Sequence, residues 1–373
     1  MFKKRLITIS ALPFVTALLL GSSLIISNKP AKVLAANVTH EHVGWEGVSV
    51  LPTEAGDYYL TDNITLTSTW TVPIGATKLC LNGYVINANG GNFNAITIQA
   101  GATLDLYDCG TTVHNGYVDS AGLWHLGTGE ETAKAITGGI ITGVNNSSSS
   151  QGGGLNVSGT FNFYGGNIVG NTATKLGAGI YSTGDINMFG GNIAYNTTSS
   201  NGGGVCFNNE EKTFNLTGGT IDNNTARNFG GMQLTKGNFV MTGGSISNNI
   251  AITSYGGIVA TSNFTLGGTA QIVGNTANGA NNNFYLPNGK LILFDTEKTP
   301  SEDMKIGLTH QNGKAKFTSD GVEDYSSNFF SDKLEYGIKY NKETSGGEYL
   351  ELVDTYDITN NTKEAGKETN HGC

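Results

Sequence analysis

The chain has 373 residues, of which 54 are glycine, 6 are proline and only 14% are charged, with a net charge of −9. Glycine without a three-residue period and scarce proline exclude collagen, and 38% hydrophobic content exceeds what simple disorder carries. The acidic balance argues against nucleic acid as a partner, and so few charges leave little material for acid–base chemistry.

Residues 1–36 read as an export signal. Lys3, Lys4 and Arg5 form a basic start, Leu6 to Ile26 is largely apolar, and Val33-Leu34-Ala35-Ala36 supplies small residues for cleavage. Cleavage removes five basic residues (Lys3, Lys4, Arg5, Lys29, Lys32) and no acidic one, which takes the net charge from −9 to −14. No later apolar stretch is long enough to span a bilayer. The expected location is secreted or at the cell surface, with no membrane insertion after cleavage.

Residues 37–134 read as a cap and irregular first rungs. Leu79-Cys80-Leu81, Ile96-Thr97-Ile98 and Leu104-Asp105-Leu106 alternate as short strands do, and residues 110–134 form an excursion with Trp124 and His125. His40-Glu41-His42 offers two imidazoles, but no third ligand stands at a telling spacing, so no metal site is expected here. Asp105 and Asp108 flank a strand and could pair with Glu130 or Glu131.

Residues 135–289 carry a repeat. Leu155, Ile180, Val205, Met232 and Ile258 follow glycine clusters at spacings of 25, 25, 27 and 26 residues. Further columns run Phe161, Ile186, Phe214, Phe239, Phe264 and Phe163, Met188, Leu216, Met241, Leu266. A Gly-Gly pair follows, then Ile168, Ile193, Ile221, Ile246 and Ile272, each with an asparagine three residues on: Asn171, Asn196, Asn224, Asn249 and Asn275.

Within each copy the apolar period is two, so each unit reads as about three short strands joined by tight bends. One such unit cannot bury its apolar face alone. Stacking the units in parallel, about 4.8 Å apart, turns each column into a ladder. The expected fold is all-β, a right-handed parallel β-helix of about 25 residues per rung, its hand following the parallel-crossover rule. The five asparagines are expected to form an amide ladder, since each carboxamide carries donors and an acceptor. Glu210, Glu211 and Lys212 lie in an insertion read as a protruding polar loop. Cys80 and Cys109 stand 29 residues apart, about one rung, and make a candidate disulfide in an exported protein. Cys206, between inward Val205 and Phe207, is expected to point outward as a free or loosely paired thiol. Residues 290–353 read as terminal rungs and a cap, and residues 354–373 as a disordered tail.

The Gly-Gly-Gly-Leu, Gly-Ala-Gly-Ile and Gly-Gly-Gly-Val openings, with Gly-Gly-x-Ile-x-x-Asn-x-Ala, resemble the glycine-rich repeats of secreted and surface proteins of Gram-positive, notably clostridial, bacteria. More distantly they are similar to chlamydial polymorphic outer-membrane repeats, with isoleucine in place of a phenylalanine. Leu79-Cys80-Leu81-Asn82-Gly83 and Leu106-Tyr107-Asp108-Cys109-Gly110 also look like N-terminal rungs of such proteins. The resemblance implies a surface-exposed, adhesin-like protein.

The rival class is a polysaccharide lyase or hydrolase on a pectin-lyase-like helix. Between residues 135 and 285 the only charged residues are Lys175, Asp185, Glu210, Glu211, Lys212, Asp222, Arg227 and Lys236. Arg227 is the one arginine after the signal, and Asp222 is its partner candidate. Hydrolysis needs two carboxylates facing one sugar, and no such pair is evident in the repeats, which leaves the N-terminal rungs to host any active site. Trp45, Trp70, Trp124, Tyr164, Tyr181 and Tyr195 offer rings for stacking on sugar. The thin threonine column Thr172, Thr197, Thr225, Thr276 is broken by Ile250 and lacks the paired array of an ice-binding face. The reading is a monomeric scaffold for polysaccharide or a host surface, with no catalytic residues, no cofactor and no nucleic-acid partner.

Overall fold

A computed structural model describes residues 40–129, 132–147, 151–259, 261, 264–343 and 347–356. Residues 1–36, expected to be an export signal, lie outside the described residues, as do Glu130, Glu131 and Cys373. Parallel strands stack into a right-handed β-helix of about 10 turns with about 26 residues per turn. No helix among the described residues is long and apolar enough to cross a membrane.

The sequence repeat is the structural register. Leu155 pairs with Ile180, Ile180 with Val205, Val205 with Met232 and Met232 with Ile258. The Phe161 and Ile168 columns pair in the same way. All three columns are buried, because alternate residues of each strand point into the coil and the rungs on either side close the remaining openings.

The regular turns hold four strands, not three. In one rung these are Leu155–Val157, Thr160–Phe163, Asn167–Val169 and Thr172–Ala173. The fourth carries the threonine column in register, Ile250 included. Its inward residues are Ala173, Thr198, Ala226 and Ala251, too small or too polar to show an apolar alternation. The corner before that strand is left-handed in every copy, at Gly170, Tyr195, Asn223, Asn248 and Gly274 (φ 54–69°).

The insertion at Glu210 is not a detached loop. Val205–Leu216 is one 12-residue strand, paired across two register shifts with Met232–Met241. The next rung also runs through this corner as one strand, and the pairing resumes at Thr213 and Asn238 after skipping residues 209–212. Glu210 and Glu211 stand exposed, while Lys212 reaches back to Asp185 at 2.9 Å.

Below the repeats, Glu46–Val48, Asp57–Leu60, Gly75–Cys80 and Ala102–Tyr107 stack in turn under the Phe161 column. The excursion makes its own antiparallel sheet of Gly116–Val118, Trp124–Leu126 and Thr132–Ala133. At the other end Phe284–Leu286, Lys305–His310 and Phe329–Ser331 extend the stack. A hairpin of Tyr336–Glu343 and Gly347–Asp354 then closes it, with Leu350 and Leu352 buried in the same core. The hairpin takes in Asp354, where the sequence reading placed the start of the tail, and Lys314 holds that carboxylate at 2.5 Å.

Candidate functional site

The amide ladder forms as expected and is wholly interior. Asn171, Asn196, Asn224 and Asn249 each donate Nδ2–H to the Oδ1 of the next member, the last to Asn275, over 2.8–3.1 Å. Each Oδ1 also accepts the backbone N–H of the preceding member, at 3.0 Å in every copy. All five residues are shut off from solvent. The ladder also explains the glycine that precedes the first apolar column. A Cβ at Gly154, Gly179, Gly204, Gly231 or Gly257 would come within 2.8–3.1 Å of a ladder Nδ2.

Two members lie outside the repeat pattern. Asn275 donates to Asn283 at 3.1 Å, and Asn283 donates to Asp332 at 2.5 Å. A file of amides all pointing one way ends best on a group that only accepts, which a carboxylate is. Asp332 also accepts from the Asn283 backbone N–H and the Thr309 hydroxyl, both at 2.8 Å. Its burial pushes its pKa above the ordinary range despite these bonds. No sequence column announces Asn283 or Asp332, because the chain leaves the 25-residue period there.

The outer face of the sheet built on the Phe161 column carries a second ladder. Asn162 donates to Asp105 at 2.7 Å, Asn187 to Asn162 at 2.8 Å and Asn215 to Asn187 at 2.8 Å. Beside it Tyr107, Tyr164 and Phe189 stack nearly parallel, with ring centroids 4.5 and 4.7 Å apart. Phe189 is 43% exposed. Farther along the helix Phe229, Tyr255 and Tyr285 form another file at a different corner, 4.9 and 4.8 Å apart. Tyr181 and Tyr195 join neither file; burial and nearby Asp222 push the Tyr195 phenol up to about 12.

A cleft of about 400 Å³ separates the excursion from the rungs. Asn87, Asn89, Thr142, Asn145 and Thr172 line one wall, and Tyr117, Trp124 and His125 the other, with no carboxylate among the described lining residues. Trp124 is buried and donates Nε1–H to the Lys134 carbonyl at 2.9 Å. His125 meets Asp119 at 2.7 Å, and this bond holds the carboxyl below its usual range. Trp70 likewise is a structural ring, buried and bonded to the Pro52 carbonyl at 2.9 Å.

The pairing of Asp105 or Asp108 with Glu130 or Glu131 lies outside the described residues, since both glutamates do. Asp105 belongs to the outer ladder, whereas buried Asp108 accepts backbone N–H bonds from Gly83, Gly139 and Gly110 at 2.8, 2.7 and 3.2 Å. Asp108 thus pins three turns, and burial still leaves its carboxyl above the ordinary range. Arg227 is exposed and makes no ion pair with Asp222, which is bonded to Thr220 and Asn223. Cys206 is free, as expected, but is buried in the row Tyr181–Cys206–Gln233, and its thiol is pushed up to about 12.

Cys80 and Cys109 do meet, yet as two thiols with their Sγ atoms 3.5 Å apart rather than as a disulfide, whose bond is about 2.05 Å. Cys80 stands in register with Tyr107, and Cys109 lies two residues beyond it, so the sulfurs touch at a slant. Two groups from the segment before the first strand join them. His42 Nε2 lies 3.6 Å from Cys109 Sγ, and donor atoms of His40, His42, Cys80 and Cys109 all lie within 4.8 Å of one another. The sequence offered no ligand spacing for this cluster, because rung stacking, not local sequence, brings the four together. Burial and the neighbouring His40 hold the His42 imidazole below its ordinary range.

Neither a protein-family model, nor a curated protein, nor a solved structure matches the chain.

Proposed function

We propose that the protein is an exported, adhesin-like β-helix scaffold that holds polysaccharide, or the glycans of a host surface, on an outer sheet face without altering them chemically. The observation that carries this reading is the pair of parallel files on one face, the amides of Asn162, Asn187 and Asn215 ending on the Asp105 carboxylate, beside rings from Tyr107 to Phe189. Amides exchange paired hydrogen bonds with hydroxyls, and flat rings accept the apolar face of a sugar. Rungs repeat about every 4.8 Å, so a repetitive ligand meets the same contacts again and again. The rigid stack supplies preorganisation, which lowers the entropic cost of binding at each contact.

Support for binding also comes from the cleft beside the excursion. Its described lining sets the amides of Asn87, Asn89 and Asn145 and the hydroxyls of Thr142 and Thr172 opposite the rings of Tyr117 and Trp124, a pairing suited to holding a sugar. The glycine-rich repeat motifs, which resemble those of clostridial surface proteins, point the same way.

The test is retention of the signal-free chain on insoluble polysaccharides, compared with Tyr164→Ala and Phe189→Ala. Each loses a stacking surface with little effect on the core, so retention should fall about fivefold or more for a ring worth about 1 kcal/mol. Equal retention of all three proteins would remove this face from the account.

A further inference from the structure

We infer that His40, His42, Cys80 and Cys109 form a closed, tetrahedral binding site for one zinc-class divalent cation, which fastens the segment before the first strand to the first rungs. Two sulfurs and two imidazole nitrogens are the donor set of a structural zinc site. With metal–sulfur bonds of about 2.3 Å and metal–nitrogen bonds of about 2.0 Å, tetrahedral edges are about 3.8 Å between sulfurs and about 3.5 Å from sulfur to nitrogen. The observed separations are 3.5 Å between Cys80 and Cys109 and 3.6 Å between Cys109 and His42. All donor separations are 4.8 Å or less, so closing onto one cation takes shifts of about 1 Å.

The surroundings hold the ligands in place before any cation arrives. The His42 ring lies flat on Tyr59, 4.2 Å between centroids and 3° from parallel. The His40 ring packs against Trp45 and Tyr107 at 5.0 and 4.9 Å. Asn82 braces the sulfurs, its backbone N–H 3.3 Å from Cys80 Sγ and its Oδ1 3.5 Å from Cys109 Sγ. Such outer contacts fix ligand orientation in metal sites. Four protein ligands fill the coordination shell, which suits a structural role and leaves no position for a substrate.

Binding is balanced by proton release. The cation takes two thiolates and two neutral imidazoles, so two thiol protons go to solvent and the site has no net charge. A neutral centre suits a place where Cys80 is fully buried and Cys109 and both histidines are half-covered. The site also gives the first rungs a fastening at the end of the coil that lacks the C-terminal hairpin. Oxidation to a Cys80–Cys109 disulfide would consume the same sulfurs and release both histidines, so the two states exclude one another.

The test is cobalt(II) titration of the reduced signal-free chain, with zinc measured in the same protein purified without chelator. The expected result is thiolate-to-cobalt charge transfer and tetrahedral d–d bands that saturate at one cation per chain and are displaced by zinc. Those bands should be lost in Cys80→Ser and Cys109→Ser and unchanged in Cys206→Ser. Zinc should protect two thiols per chain from alkylation until a chelator is added, and this readout needs no variant to fold. Absence of the bands from the reduced wild-type chain, or saturation unaffected by both cysteine substitutions, would overturn the assignment. So would a Cys80–Cys109 disulfide that, once reduced, leaves the chain unable to take up cobalt.

Discussion

Asn224 and Asn187 are the same residue type in the same solenoid, yet their surroundings set very different costs for losing them. Asn224 Oδ1 accepts two N–H groups of Asn196 where no water can replace it. Asn224→Ala orphans both donors at about 1–3 kcal/mol each, so the loss should be about 2–6 kcal/mol. Asn187 sits in the half-buried outer ladder, where water substitutes, and Asn187→Ala should cost less than about 1 kcal/mol. Denaturant midpoints of the two variants check this; equal midpoints would contradict the interior placement of the ladder. Asp222 gives a pH signature. Burial raises its folded pKa from 3.8 to about 6, so its stabilising contribution is present below about pH 4 and lost as pH rises through about 6. Asp222→Asn should therefore stabilise the fold at pH 7, by up to about 3 kcal/mol, and have little effect near pH 4. Thermal melts at the two pH values read the difference directly. At this scale the five repeated asparagines were legible from their column alone. Asn283, Asp332 and the meeting of His40 and His42 with Cys80 and Cys109 were not, because these partners are set by stacking across unequal sequence distances.

Elements in this chain owe their corners to glycines of two kinds. Gly204 is glycine for space, since a Cβ there would come 2.6 Å from the Gly231 carbonyl oxygen and 2.9 Å from Asn224 Nδ2. Gly279 is glycine for backbone conformation, with φ +76° and open space around it. Gly204→Ala should cost about 1–3 kcal/mol or more, and Gly279→Asn less than about 1 kcal/mol, again read from unfolding midpoints. The C-terminal hairpin is the second element with a definite task. Leu350 is fully buried at the end of the core, so Leu350→Asp should detach the hairpin, expose a strand edge and give concentration-dependent association in light scattering. Leu334→Asp, at a residue 98% exposed, should leave the protein unchanged. Three of the four strands per turn were readable because large apolar side chains alternate in them. The fourth was hidden because its inward positions hold alanine and threonine, and the Glu210 insertion looked like a loop because its charges mask a strand that continues through the corner.

At the scale of the whole molecule, the coil has one continuous core from Leu60 to Leu352. Its chemistry is divided by surface. Inside are hydrocarbon and a sealed amide ladder, which fix the rungs and touch nothing else. Outside are repeated amides and stacked rings at rung pitch, which are free to meet a ligand. This division was legible in the period-two pattern and in the scarcity of charge. Which outer face carries the rings was not legible, since Tyr107, Tyr164 and Phe189 come together only when the rungs are stacked. The most direct measurement is to incubate residues 37–373 with a panel of polysaccharides and to score, in the same samples, bound protein and newly released reducing ends. Saturable binding with no reducing ends above the protein-free control is the predicted result. Release of reducing ends in proportion to protein would contradict a passive scaffold.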